Sequence, residues 1–320
     1  MWAELLCGLV IYKLLKRFFY DDDTFDLETS KSDSIFSVAD RIQKVYGGKV
    51  FLGLRIPDAD TSSRQNIDIV LVTKREAVVI SVKDFPGSVT IDKYGSWIVT
   101  EKNKTEKFTD PVVEVKRQVG VLEGYLEQRG VALPDEYLSG KVILTNPKSS
   151  SIHSINFPSE VISFDQWVKL KPEQKSMLSS WIKDAFCGGK KEMQDAIHQQ
   201  LHFILGSAPM WDRLELKENK NLLGEFLEFK GKPADIQSLR NIKRSKVSRF
   251  IIQKSSMFGL ARSTIQLLYS ARDYRNEGDS VSDWKEITVR SSTEVLFQPH
   301  NSSKVSKFKL SSITSMSLSA

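Results

Sequence analysis

The sequence predicts an α+β protein, built from a compact helix-and-strand domain, a helical linker and a smaller β-rich domain. Three observations predict this class. Apolar residues repeat with helical spacing between Ser34 and Tyr46. Short alternating runs, separated by Gly, Pro and Asp turns, follow between residues 49 and 99, and similar runs return after residue 211. The length of 320 residues suits two domains that each bury a core.

Composition and charge limit the classes of function. With two cysteines, Cys7 and Cys187, the chain can form neither a disulfide framework nor a cysteine-built zinc module, so we expect a reducing, intracellular compartment. Residues 206–320 hold nineteen Lys and Arg against twelve Asp and Glu, a net +7, while the remaining chain sums to −1 of the total +6. A polyanion partner, either nucleic acid or anionic lipid, is therefore expected at the C-terminal region. No phosphate-binding glycine loop or other small-molecule cofactor motif is evident.

Residues 1–20 form an apolar N-terminal segment, with an uncharged run from Leu5 to Tyr12 followed by Lys13, Lys16 and Arg17. Three interpretations stay open: a short membrane anchor, a helix lying on a membrane surface, and a helix packed on the protein itself. A spanning helix needs about 20 mostly apolar residues, and this run is shorter. If the segment spans, the cations that follow it place the rest of the chain in the cytosol.

The first domain is expected over residues 33–168. Its first helix should end at Gly47-Gly48, before a strand that carries Val50, Leu52, Leu54 and Ile56 on one face. A tight turn joins the next two strands into an antiparallel hairpin, and further elements follow. The predicted ranges are 34–46 (helix), 49–56, 67–73 and 77–83 (strands), 89–99 (hairpin), 110–129 (helix), and 141–145 and 160–164 (strands).

The hairpin of the two central strands carries the chemistry. Ser81 and Lys83 share a side of their strand because they are two residues apart, and hairpin pairing brings Asp68 next to them. A carboxylate and a lysine at adjacent strand ends suit a metal-assisted phosphodiesterase, in which the carboxylate holds the cation and the ammonium stabilises negative charge. Alone, such a pair is also typical of a solvated sheet edge.

Several motifs together resemble the nuclease-related domain (NERD) family, in particular its plant members with an additional C-terminal region. The resemblance covers about residues 33–168 and rests on Gln65–Val72, Ala77–Asp84, Gly87, Trp97 and Asp110-Pro111. It implies a PD-(D/E)XK endonuclease-like fold. It also implies that Asp68 corresponds to the metal-binding aspartate and Lys83 to the catalytic lysine, with Mg²⁺ or Mn²⁺ as the cofactor of an active member.

The sequence departs from the family pattern at the metal site. Ser81 stands where the acidic-x-Lys motif has a carboxylate, and a neutral hydroxyl is a poor ligand for a hard cation. The early helix offers only Asp33 and Asp40 nearby. In the later helix, Glu114 stands where the family often has Gln, and Gln118 lies one turn further on the same face. Glu114 either replaces the missing carboxylate or is a surface acid, and the sequence favours the second interpretation.

The linker is predicted as two helices within residues 171–206, Pro172–Phe186 and Lys190–Leu205. His198 and His202 are four residues apart and share a helix face, which raises the possibility of a metal site. Gln199 stands where a zincin has its glutamate, and the sequence offers no third ligand. A surface or partly packed histidine pair is the favoured interpretation.

The last domain is expected over residues 207–320, as a small antiparallel barrel or sandwich of six strands with a frayed serine-rich end from Ser311. A basic run within it is a candidate site for nucleic acid, anionic lipid or an import receptor, or else a solvated face. Phe226, Phe229 and Phe250 are either base-stacking platforms or, as their alternation favours, core residues. The cations of the run are Arg240, Lys243, Arg244, Lys246 and Arg249.

Two functions follow from these residues. In the first, a degenerate nuclease-like domain binds nucleic acid or a protein without cleaving it. In the second, the domain is a divalent-metal-dependent nuclease acting on DNA or RNA through Asp68 and Lys83, with a substitute acid. Ser81 favours the first.

Overall fold

The computed structural model describes residues 22–93, 95–102, 104–149, 157–170, 195–253, 264–272, 284–300 and 302–319. The predicted N-terminal segment 1–20 and the predicted helix 172–186 lie outside these residues. Within the described ranges, none of the helices combines the length and the hydropathy that crossing a bilayer requires.

The first half of the chain is built on a five-stranded sheet in the order β1-β2-β3-β7-β8. The strands β1, β2 and β3 are antiparallel neighbours, whereas β7 and β8 run parallel to β3. These strands are β1 (Lys49–Pro57), β2 (Arg64–Val72), β3 (Ala77–Lys83), β7 (Leu138–Leu144) and β8 (Val161–Ile162). The predicted hairpin of the two central strands is thus confirmed, and so is the α+β class.

Two helices cover the two faces of this sheet. The α1-side core lies beneath α1 (Asp22–Tyr46) and includes Ile35, Val38 and Ile42. The α2-side core lies beneath α2 (Pro111–Glu127), whose apolar stripe faces the sheet. A small sheet packs beside it with Trp97 almost fully buried; it consists of β4 (Ser88–Ile91), β5 (Trp97–Glu101) and β6 (Lys104–Phe108). A short helix, α3 (Phe164–Lys169), follows β8.

The regular alternation predicted for β1 is wrong beyond Leu52. Val50 and Leu52 pack in the α1-side core, but Leu54 and Ile56 pack in the α2-side core. The change occurs at Gly53, whose φ of +62° is a left-handed conformation that glycine adopts without steric cost. On the paired strand β2, Ile67 and Ile69 also lie in different cores, so both strands change faces at the same level as Asp68.

The second half forms one eight-stranded antiparallel sheet in the order β13-β12-β11-β16-β9-β10-β14-β15, preceded by α4 (Asp195–Gly206). It contains two strands and a helix, α5 (Pro233–Leu239), that the sequence did not predict. The strands are β9 (Asp212–Leu216), β10 (Asn221–Lys230), β11 (Val247–Gln253), β12 (Thr264–Ala271), β13 (Trp284–Arg290), β14 (Glu294–Pro299), β15 (Ser306–Lys309) and β16 (Ile313–Ser317).

The expected frayed end is wrong, because β16 lies between β11 and β9 in the middle of the sheet. Ile313, Ser315 and Met316 are buried there, and the backbone N–H of Ser319 donates to the Asp212 carboxylate at 2.8 Å. Phe226 and Phe250 are core residues, as the alternation favoured, and Phe229 packs against them.

The two halves share packing. Leu223 of β10 belongs to the α1-side core, and Asp33 of α1 accepts a hydrogen bond from the backbone of Asn221 at 2.8 Å. Elsewhere in the contact between the halves, the guanidinium of Arg55 on β1 lies 3.9 Å from the ring centre of Trp211. The second sheet is therefore attached to the first by both apolar and polar contacts.

Candidate nuclease-like site

Asp68 and Ser81 lie at the same level of the hairpin, as predicted. The strands pair through Ile69 and Ile80, and an Asp68 carboxylate oxygen accepts a hydrogen bond from the backbone N–H of Val82 at 2.9 Å. The Ser81 side chain is 1% exposed, and its hydroxyl has no hydrogen-bond partner among the described residues. Because Ile80 and Val82 face the α1-side core, Ser81 and Lys83 face the α2 side.

Lys83 reaches the first turn of α2. Its ammonium group donates to Glu114 at 2.8 Å, with the two side chains 22% and 39% exposed. The helix begins there because the Asp110 side chain accepts the Val112 N–H and Pro111 occupies the first turn. Glu114 is thus half-buried and paired with the candidate lysine, rather than projecting alone into solvent.

Gln118 lies one turn further along α2 and is 2% exposed. Its side-chain amide donates to the Asn66 carbonyl at 3.0 Å, whereas its carbonyl oxygen has no partner among the described residues. Gln118 therefore ties α2 to β2 two residues before Asp68. The other predicted acids lie elsewhere: Asp33 binds the Asn221 backbone, and Asp40 pairs with Lys44 at 2.6 Å.

These donors do not fit a divalent cation. Such a cation prefers carboxylate oxygens, but the position of the second strand carboxylate is held by the Ser81 hydroxyl. The Glu114 carboxylate is already engaged by the Lys83 ammonium. In the part of the chain that the structure describes, no group of three or more His, Cys, Asp and Glu side chains gathers where it could hold a metal ion.

The histidine pair of α4 is partly packed. The rings of His198 and His202 are 4.2 Å apart, and His202 meets Phe51 edge to face at 5.9 Å. Burial, and secondly the nearby His198 and Lys49, lower the pKa of His202 from 6.5 to about 4. In this environment the His202 imidazole is packed and neutral.

The cations of the basic run have two kinds of surroundings. Arg240, Lys243 and Lys246 are exposed. Arg244 instead donates to Asp212 at 2.9 Å and to Glu225 at 2.7 Å, joining β9 and β10. Arg249 lies 3.9 Å from Glu215. The Arg244 network was missed at the sequence level, because its partners lie 32 and 19 residues away and no motif connects them.

Comparison with known proteins identifies the class of the first half. Residues 31–145 match the family model of the nuclease-related domain, a range that includes all five candidate site residues of the hairpin and α2. This part of the chain is therefore a nuclease-related domain, and the family resemblance is confirmed over residues 31–145. No curated protein and no solved structure matches the chain.

Proposed function

We propose that the nuclease-related domain serves for binding, with nucleic acid or a protein as its partner, and does not cleave phosphodiester bonds. The observation that carries this proposal is the buried Ser81 hydroxyl at the position where the family motif has a carboxylate. Metal-assisted hydrolysis needs an ion to activate water and to stabilise the charge developing on phosphate. The donor set around Asp68 lacks the carboxylate that retains such an ion.

The ion pair of Lys83 and Glu114 supports the same proposal. A lysine that stabilises a phosphoryl transition state must direct its ammonium group at the reacting oxygens. In this protein the Lys83 ammonium donates to Glu114 at 2.8 Å. The partner of the site therefore has to displace a carboxylate before it meets the lysine charge.

A cleavage assay tests the proposal. The full chain, incubated with single- and double-stranded DNA and RNA in the presence of Mg²⁺ or Mn²⁺, should leave each substrate intact. Cleavage that disappears in Lys83→Ala would contradict the binding-only proposal. It would favour the second candidate, a metal-dependent nuclease using Asp68 and Lys83, with Glu114 as the substitute acid.

Calorimetry with Mn²⁺ tests the missing ligand directly. The wild type should show no saturable binding, and Ser81→Glu should gain it, because a second carboxylate then faces the ion. Ser81→Gln is the matched control, since it has the same size without the charge. Because Ser81 is buried, the smaller Ser81→Asp and a melting curve for each variant guard against misfolding. Equal Mn²⁺ binding by the wild type and Ser81→Glu contradicts the proposal.

The exposed cations Arg240, Lys243 and Lys246 support nucleic acid as the partner. Replacing all three with Gln should weaken binding of single-stranded DNA and reduce the dependence of affinity on salt by about one unit of slope per lost phosphate contact. Lys304→Gln with Lys307→Gln, two exposed lysines of the same half, is the control. An unchanged slope in the triple variant excludes the basic run as the site, whereas no binding of DNA by the wild type would favour a protein partner.

A further inference from the structure

A cavity of about 400 Å³ lies between β10, α5 and the segment that follows α5. Its volume falls within the range of small-molecule sites, roughly 300–1,000 Å³. The described residues contribute six apolar side chains to its wall: Phe226, Leu227, Phe229, Ile236, Leu239 and Ile242.

A β-bulge shapes this wall. In the pairing of β10 with β14, Phe226 lies opposite Phe297 and Glu228 opposite Leu296, so Leu227 is the extra residue. Because of the bulge, Phe226 and Phe229 face the same side although they are three residues apart, and their ring centres lie 5.0 Å apart. Leu227 remains 43% exposed, which leaves a large apolar side chain in contact with water.

Positive charge accompanies the cavity. Arg240 and Lys243 line it and are exposed, and Glu228 is the acidic lining residue. Arg244 also lines it, but its guanidinium is engaged by Asp212 and Glu225. Beside the Arg244 pair, the cavity therefore carries two cations, Arg240 and Lys243, against one carboxylate, Glu228, and this positive excess suits a carboxylate or phosphate group.

The lining also discriminates between ligands. Among the described lining residues there is no Ser, Thr, Asn, Gln, Tyr or His to pair with the edge of a nucleobase. A nucleobase against the apolar wall would depend on the charged side chains of Glu228, Arg240 and Lys243 to pair its donors and acceptors, whereas an alkyl chain has none to pair. The combination of an apolar wall and two cations fits an alkyl chain that ends in an anionic group.

We propose that this cavity binds a single-chain amphiphile with an anionic head group, such as an alkyl phosphate or a fatty acid. The alkyl chain lies against Phe226, Leu227 and Phe229, and the head group contacts Arg240 and Lys243. The site is separate from the nuclease-like site, and its occupation needs neither metal nor nucleic acid.

Calorimetry on the full chain compares dodecyl phosphate with dodecyl maltoside, each below its micelle concentration. Dodecyl phosphate should bind at least fivefold more tightly, because only its head group is charged. Arg240→Gln with Lys243→Gln should remove that preference and leave dodecyl maltoside binding unchanged. The control variant Lys304→Gln with Lys307→Gln should retain the preference.

A second variant tests the apolar wall. Leu227→Asp changes a half-exposed residue, so its melting curve should stay close to that of the wild type while both amphiphiles bind at least tenfold more weakly. Each of these outcomes overturns the proposal: no saturable binding of dodecyl phosphate, the same affinity for dodecyl phosphate in the Arg240/Lys243 variant as in the wild type, or tighter binding of adenosine monophosphate than of dodecyl phosphate. Association with anionic vesicles without binding of the monomeric amphiphile also overturns it, in favour of a membrane-facing surface.

Discussion

At the scale of single residues, Lys83 and Glu114 hold opposite charges in contact beside Asp68. Both side chains are partly exposed, so water and salt screen the pair and its contribution to stability is modest, about 0.2–1 kcal/mol. The pair therefore matters less for the stability of the fold than for which charge the site presents to a partner.

Glu114→Gln should raise the affinity for single-stranded DNA about two- to fivefold, the equivalent of roughly 0.5–1 kcal/mol, because the Lys83 ammonium loses its carboxylate. Fluorescence anisotropy at fixed salt measures this change. Glu123→Gln removes the same charge from an exposed position on the same helix and should change the affinity less. An equal gain in both variants would show that overall charge, and not Lys83, is responsible.

His202 predicts a pH dependence of stability. Its pKa is lowered to about 4 in the folded protein, against an ordinary value of 6.5. Between these values the unfolded chain binds more protons, so the free energy of unfolding should fall as the pH drops from about 6.5 to about 4. Urea unfolding at several pH values measures this loss, and His202→Gln should flatten it. The same slope in both proteins would place the proton uptake elsewhere.

At the scale of elements, the end of α1 depends on two glycines with different surroundings. Gly47 and Gly48 both have a left-handed backbone, with φ of +70° and +77°. A Cβ atom at Gly47 meets nothing within 4 Å, but one at Gly48 comes 2.3 Å from the Val72 carbonyl oxygen. The second glycine therefore allows the chain to pass close to β2.

Gly47→Ala should cost about 1–2 kcal/mol, the strain of a left-handed alanine. Gly48→Ala should cost clearly more, because β2 must also move. Denaturant midpoints of the two variants, measured side by side, test this difference. Equal losses would mean that the close approach to Val72 carries no additional cost.

The elements also show where sequence patterns suffice. Asp68, Ser81 and Lys83 were placed correctly because hairpin pairing and strand alternation are local. The pairing of Lys83 with Glu114 was not predicted, because the two residues are 31 positions apart in the chain. Their contact depends on how α2 crosses the sheet. The alternation of β1 failed at Gly53, where a left-handed residue changes the face.

The strands β9 and β16 were missed for a compositional reason. Asp212, Arg213 and Glu215 make β9 look polar, and serines and threonine do the same for β16. Their polar groups are satisfied by tertiary partners: Asp212 by Arg244 and Ser319, and Glu215 by Ser315. A pattern based on apolar residues alone does not detect such strands.

At the scale of the whole molecule, the neighbours Leu222 and Leu223 belong to the cores of different halves. The side chains of these neighbours point to opposite faces of β10: Leu222 lies in the core of the second sheet, and Leu223 lies in the α1-side core of the first. No sequence pattern distinguishes them, because both are buried leucines of one strand.

Leu222→Ala and Leu223→Ala should each destabilise the protein by about 2–5 kcal/mol. The two variants should differ in which elements exchange their amide hydrogens faster. Leu223→Ala should accelerate amide hydrogen exchange in α1 more than Leu222→Ala does, since only Leu223 packs beneath that helix. Hydrogen exchange read by mass spectrometry on both variants tests this. Identical exchange in α1 would mean that the contact between the halves does not stabilise the helix.

The central place of β16 has a consequence for synthesis on the ribosome. Its neighbours β9 and β11 are translated well before residues 313–317, and until these emerge each neighbour has an open edge of backbone donors and acceptors. The second sheet therefore cannot form its complete set of strand pairs until β16 has emerged. Nascent chains stalled before Ile313 should therefore be the form most prone to aggregation and most dependent on chaperones.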